Sequence, residues 1–203
     1  LEKIKTRRLE KGIPLNENLD PNLTGIIGKE ITITTTTNGH LAAKRTATNP
    51  EFAALMIRYF NKIGLERGDT IAIGASGSFP SLIVATLSAA KVMELKPLLI
   101  YSLGASMYGA NIPEFTFLEM LDSIQKIIPY QPIAISLGGE NDRADYMIFE
   151  DSKPTLMKIA KESKLPFIYE DTLAASIKKR MEIYNKKAGN QEIKAFVNVG
   201  GAS

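Results

Sequence analysis

Gly68–Leu87 reads GDTIAIGASGSFPSLIVATL, and no other stretch constrains the architecture as strongly. Thr70–Ile73 is a short apolar run between glycines, the form of a strand buried on both faces. Gly74–Phe79 follows with small and hydroxyl-bearing residues, including Gly74, Ser76, Gly77 and Ser78. Pro80 then stands where the first turn of a helix accepts proline, and Ser81–Val92 continues as an apolar helical run. A strand, a small-residue turn and a helix in this order aim backbone N–H groups and the positive helix end into one pocket. Such a pocket suits an anion or an oxyanion. The same glycines equally serve a tight turn and close strand–helix packing.

C-terminal to this unit the alternation repeats. Strand Leu98–Ser102 leads through the loop Leu103–Pro113 to a helix over Phe115–Ile128. Strand Ile133–Leu137 leads through Gly138–Tyr146 to a helix near Pro154–Ser163. Strand Phe167–Tyr169 precedes a helix over Thr172–Lys187, and strand Ala195–Val199 runs into Gly200-Gly201. Pro97, Pro132 and Pro166 fall just before three of these strands, where a sheet tolerates proline. Within the last helix Leu173, Ile177, Met181 and Tyr184 form an apolar stripe. Short, continuously apolar strands joined by helices predict a parallel sheet covered on both faces, with right-handed crossovers.

N-terminal to it the pattern is less regular. Leu1–Gly12 is charged and helix-compatible, reading as a solvated helix or the tail of a removed segment, and Ile13–Asn22 is irregular. Glu30–Thr37, EITITTTT, alternates isoleucine with threonine as a strand does. Asn38-Gly39 is the favoured pair of a type I′ turn, so His40–Thr46 is expected to return as the second strand of a hairpin. Asn49-Pro50 then starts a helix whose apolar residues run from Phe52 to Ile63. The expected fold is three-layer α/β: a mostly parallel, Rossmann-like sheet flanked by helices, with an N-terminal β-hairpin. Residues 1–22 form a separate helical and irregular segment, and 23–203 a single α/β domain. Beginning at Leu1 and stopping at Ser203, the chain is expected to continue beyond both ends.

Composition narrows the chemistry. Hydrophobic residues make up 44% of 203, enough for a real core, and net charge is +3 with both signs interspersed. A dedicated nucleic-acid binder would concentrate its basic residues on one face. Cysteine is absent, which removes thiolate nucleophiles, disulfides and cysteine-based metal sites. His40 is the single histidine. Neither the G-x-G-x-x-G dinucleotide fingerprint nor the phosphate-binding loop G-x-x-x-x-G-K-[ST] occurs, so NAD and P-loop nucleotide chemistry are disfavoured.

In a parallel sheet all strand-to-helix loops emerge at one edge, the usual ligand site of open α/β folds. Here they are GASGSF, SLGASMYGAN, SLGGENDRADY, the Tyr169–Asp171 turn and GGAS. Ser76 and Ser78 are the leading hydroxyls, as anion ligands or nucleophiles, and Ser106 and Asn111 add polar groups from the second loop. The same serines also suit turns and caps. Glu140 and Asp142, with Arg143 beside them, offer a carboxylate pair for acid–base work or a hard cation such as Mg²⁺. Glu170 and Asp171 could join them, although Asp171 equally suits a helix cap. Lys44 and Arg45 supply positive charge for a carboxylate or phosphate. His40, by the expected turn, reads as an exposed residue.

Several segments carry a family likeness: Asp20–Ala54, Gly68–Leu82, Ser102–Met120, Ser136–Ala144 and Phe196–Ser203. With SGSFP, GASMYGAN and GGAS as its most specific parts, the chain resembles the poly-gamma-glutamate system protein family. The resemblance implies an accessory role in making, exporting or processing a gamma-linked glutamate polymer in bacteria. It further implies partners among the synthesis proteins and a parent protein held at the cell membrane by an N-terminal segment, its soluble part outside the cytoplasm. It supplies no catalytic residues. The expected function is therefore an accessory protein whose loop edge binds a glutamate-like carboxylate. Two alternatives stay open: a hydrolase or transferase using Ser76 or Ser78 with Glu140 and Asp142, and a non-enzymatic scaffold for membrane-bound enzymes.

Overall fold

A parallel five-stranded sheet forms the centre of the computed structural model, which describes residues 1–200. The strands are β1 (Thr70–Ser76), β2 (Lys96–Ser102), β3 (Pro132–Ser136), β4 (Phe167–Ile168) and β5 (Ile193–Val199). They lie in the order β4-β3-β2-β1-β5, and every pairing is parallel. Parallel neighbours need long crossovers. Here these contain α4 (Pro80–Val92), α5 (Phe117–Ser123), α6 (Ser152–Ser163) and α7 (Leu173–Ala188). The chain winds outward from β1 to β4. It then returns through α7 to place β5 on the far side of β1, so the winding reverses at the β1–β5 junction.

Strand alternation divides the core in two. Ile71, Ile73, Leu99, Tyr101, Ile135 and Leu137 face the larger layer, packed with Ile83 and Leu87 of α4, Phe117 and Leu121 of α5 and Leu156 of α6. Ala72, Ile100, Ala134 and Ile168 face the other way, against Tyr184 of α7. The result is the three-layer α/β arrangement that the strand–helix repeats imply. β1 extends to Ser76, three residues beyond its expected end, because the Gly74–Ser76 segment stays in register with Ile100–Ser102.

The N-terminal region departs from the expectation in two ways. α1 (Glu2–Glu10) is not wholly solvated: Ile4 is fully buried, and Arg8 donates to the carbonyls of Gly25, Ile27 and Pro14. The hairpin is absent. Residues 30–39 are irregular, with one isolated bridge, Thr35 to Ala105, and the expected second strand is α2 (Leu41–Ala47). The threonines explain the first half. Thr32 and Thr34 give their hydroxyls to Asn111 O, and Thr32 N–H donates to Thr35 Oγ1, so side chains replace a strand ladder. Neither Asn38 nor Gly39 has the positive φ that a type I′ turn requires. LAAKRTA is rich in strong helix formers, which decides the second half. α3 (Glu51–Lys62) follows and lies along α4. Among the described residues no helix is long and apolar enough to cross a membrane.

Candidate functional site

The loops leaving β1, β2 and β3 meet at the C-terminal edge of the sheet and are laced together. Gly77 N–H donates to Ser102 O (3.1 Å), Ala110 N–H to Gly77 O (2.7 Å) and Leu103 N–H to Ser136 O (3.0 Å). The irregular 28–39 segment lies across the second loop. Tyr108 N–H donates to Lys29 O (2.8 Å), Thr36 N–H to Ala105 O (2.9 Å) and Met107 N–H to Thr37 O (3.0 Å). Amides of SLGASMYGAN that the sequence suggests for a ligand are thus satisfied within the protein. Asn111 fixes this overlay. Fully buried, it accepts from Lys29 N–H (3.0 Å) and donates to Lys29 O (2.8 Å) and Thr35 Oγ1 (3.0 Å).

Beneath the overlay sits Lys44. The inner face of α2 carries Lys44 and Ala47, both buried, and Lys44 is only 3% exposed. Its Nζ donates to the carbonyl oxygen of Ser78, lies 2.8 Å from Ser106 Oγ and stands 3.7 Å from the centroid of the Phe79 ring. Ser78 Oγ in turn accepts from Ser106 N–H at 3.0 Å. Every partner is neutral, and Lys44 belongs to no ion pair among the described residues. Burial lowers its pKa to about 8 by penalising the charged form.

A second polar cluster occupies the α7 side of the same edge. β1, β2 and β3 each end in serine, and the register sets Ser76 beside Ser102 and Ser102 beside Ser136 on one face. Ser102 and Ser136 hydroxyls lie 2.9 Å apart. Arg180 reaches them from α7, its Nη2 3.2 Å from Ser102 Oγ, 2.6 Å from Ser136 Oγ and 2.7 Å from Asp142 Oδ2. Asp142 also accepts from Ser136 Oγ (2.6 Å) and Ser176 Oγ (2.5 Å). Both its oxygens are engaged, and its backbone is held at φ +61°. The hydrogen bonds of this guanidinium found among the described residues all leave from Nη2.

The structure therefore brings Lys44, Gly77, Ser78 and Ser106 together, with Ser76 linked through a 3.4 Å contact from Ser78 N–H to its Oγ. Other sequence candidates lie elsewhere. Gly74 is inside β1 beneath the Phe196 ring. Arg45 points away, donating to the carbonyls of Leu19 and Asn18. Arg143 stacks on Tyr169 and bonds Glu170 O and Asp171, tying the third loop to the β4–α7 turn. Glu140 is exposed, and so is His40, which precedes α2 without a side-chain capping bond. Thr172, not Asp171, caps α7. Of the fifth loop, residues 201–203 lie outside the described residues. Sequence reading missed Arg180, Ser102, Ser136 and Ser176. The signal for Ser102 and Ser136 was the serine that closes each of three successive strands; Ser176 and Arg180 carried none.

Among the described residues no group of three or more His, Asp or Glu side chains is placed to hold a metal ion. What fold and site together define is a parallel-sheet α/β protein with two basic, serine-rich clusters on the C-terminal rim. Comparison of the chain with models of protein families, with curated proteins and with solved structures finds no match.

Proposed function

We propose that this chain is an accessory protein of bacterial poly-gamma-glutamate biosynthesis and that its C-terminal rim holds a glutamate-like carboxylate. The sequence resemblance suggests the polymer. The observation that carries the site is the unbalanced charge of the rim. Arg180 is compensated by Asp142, whereas among the described residues Lys44 has only a carbonyl, a hydroxyl and an aromatic ring around it. An ammonium without a counter-charge in a poorly solvated setting attracts an anion far more strongly than a surface lysine does. The serine row and Arg180 add directional donors for carboxylate oxygens. On this reading the parent protein works at the bacterial membrane beside the synthesis enzymes.

Calorimetric titration with gamma-linked glutamate oligomers tests this. The expected result is saturable heat that weakens with added salt, shifts confined to the amides of residues 74–79 and their neighbours, and weaker binding to alpha-linked oligomers of equal length. Absence of heat at low salt, or equal binding of both linkages with no shift at the rim, would overturn it.

A further inference from the structure

We propose that Ser106 is a nucleophile for acyl transfer and that Lys44 is its general base. The reaction class goes beyond carboxylate binding; the substrate class, a gamma-glutamyl amide, rests on the function proposed above.

Lys44 Nζ and Ser106 Oγ are 2.8 Å apart, within reach for direct proton transfer. Both partners are held in place. Nζ is anchored by Ser78 O and lies against Phe79, while Ser106 N–H is bonded to Ser78 Oγ. Ser78 thus orients base and nucleophile at once, the third member that serine-based sites commonly require. A neutral lysine amine keeps two N–H groups and one lone pair. One N–H goes to Ser78 O, and the lone pair then faces the Ser106 hydroxyl proton. A merely structural lysine would be a poor choice here, since an apolar side chain of similar length fills such a space without the cost of burying a charge. No charged neighbour contributes to the lowered pKa of Lys44. Burial alone leaves it protonated in most molecules at neutral pH, able to draw in an anion, with a minor neutral fraction able to accept a proton. Asp142, the carboxylate the sequence offers as a base, has both oxygens committed to Ser136, Ser176 and Arg180.

In the first step Ser106 Oγ bonds to the amide carbonyl carbon as its proton passes to Lys44 Nζ. The tetrahedral adduct collapses, the C–N bond breaks, and Lys44 returns the proton to the leaving amine. Water then attacks the Ser106 ester, losing a proton to Lys44. The C–O bond to Ser106 breaks, the acyl group leaves as a carboxylic acid, and Ser106 Oγ takes the proton back.

An aryl fluorophosphonate reports on the nucleophile without requiring the natural substrate. Intact-mass and peptide analysis of the wild-type chain should show a single adduct on Ser106. Its rate of formation should rise with pH through a midpoint of about 8 and level off above that, as Lys44 becomes neutral. Ser106→Ala should abolish the adduct, and Lys44→Met should slow it about 100-fold or more. Circular dichroism establishes that each variant is folded. If Lys44→Met does not fold, the wild-type pH profile and Ser106→Ala decide the matter. No adduct, an adduct on another residue, or a rate flat from about pH 6 to 10 overturns the proposal. Labelling of Ser106 without release of amine from gamma-linked oligomers keeps the nucleophile and overturns the gamma-glutamyl substrate. Failure of the calorimetric titration leaves the labelling result intact, so the two readings fail separately.

Discussion

Two basic side chains are buried near the N-terminal half of this fold, and they are accommodated differently. Arg8 spreads its charge over three backbone carbonyls, and the nearby charge of Asp20 partly offsets its desolvation. Among the described residues Lys44 has fewer partners and no acid, and its pKa falls to about 8. The consequence for stability has a definite sign. An unfolded chain keeps the Lys44 proton up to about pH 10.5, the folded chain only to about pH 8. Between those values the unfolded state holds more protons, so folding stability rises with pH. Below about 8 both states are protonated and the burial penalty is constant. Across the window the gain is at most about 3.5 kcal/mol, since each tenfold difference in proton affinity is worth roughly 1.4 kcal/mol. Lys44→Met removes the titration while filling similar space. Urea unfolding at several pH values from 7.5 to 10.5 should show wild type gaining on Lys44→Met as pH rises. Parallel curves would mean that the ammonium is solvated in the folded state.

At the level of elements, what could be read from the sequence is what burial alone determines. Strands near Ile71, Leu99 and Ile135 are continuous apolar runs because both their faces are covered, and no other structure suits them as well. Where polar side chains bond to backbone, periodicity misleads. EITITTTT alternates like a strand, yet its hydroxyls satisfy Asn111 O and one another. The stripe of α7 is a subtler case. Leu173, Ile177 and Met181 are half exposed, and the helix instead buries Ser176 and turns Arg180 toward the sheet, because Asp142 and the strand-end serines require donors there. Lys44 and Ser106 were both legible as polar candidates. Their contact was not, since it depends on α2 lying over a loop 62 residues away. Two glycines test that overlay. A Cβ at Gly28 would overlap Gly109 O and Asn111 Oδ1, although its φ is ordinary. Gly64 has φ +75° but open space around it. Gly28→Ala should therefore cost more than about 2 kcal/mol by forcing the 28–39 segment off the second loop, and Gly64→Ala about 1 kcal/mol. Urea midpoints that rank the two the other way would contradict the close packing of these segments.

Taken whole, the molecule is asymmetric about its sheet. Among the described residues one face packs into a core of thirty buried residues, whereas the other has five, of which α7 supplies Tyr184, with Ile183 partly buried against them. Phe196 of β5, on that thinner side, is 61% exposed with its ring near Tyr184. Apolar burial sets most of the free energy of local opening, so α7 should be the first layer to separate from the sheet. That matters for the rim, because Arg180 and Ser176 travel with the helix. Native-state hydrogen exchange should give α7 amides a lower opening free energy than those of β1 and β2. Tyr184 Oη donates to Ile73 O at 2.7 Å, a buried bond between helix and sheet. Removing it in Tyr184→Phe should lower the α7 opening energy by about 1 kcal/mol while α4 and α5 keep their relative protection. A carboxylate ligand held by Arg180 should have the opposite effect, since anything that binds only the closed form raises the opening energy by mass action. If gamma-linked oligomers bind but leave α7 exchange unchanged, Arg180 takes no part in holding them. If α7 exchanges together with β1 in wild type and Tyr184→Phe alike, the thin layer is no separate unit, and the serine row is as permanent as the strands that carry it.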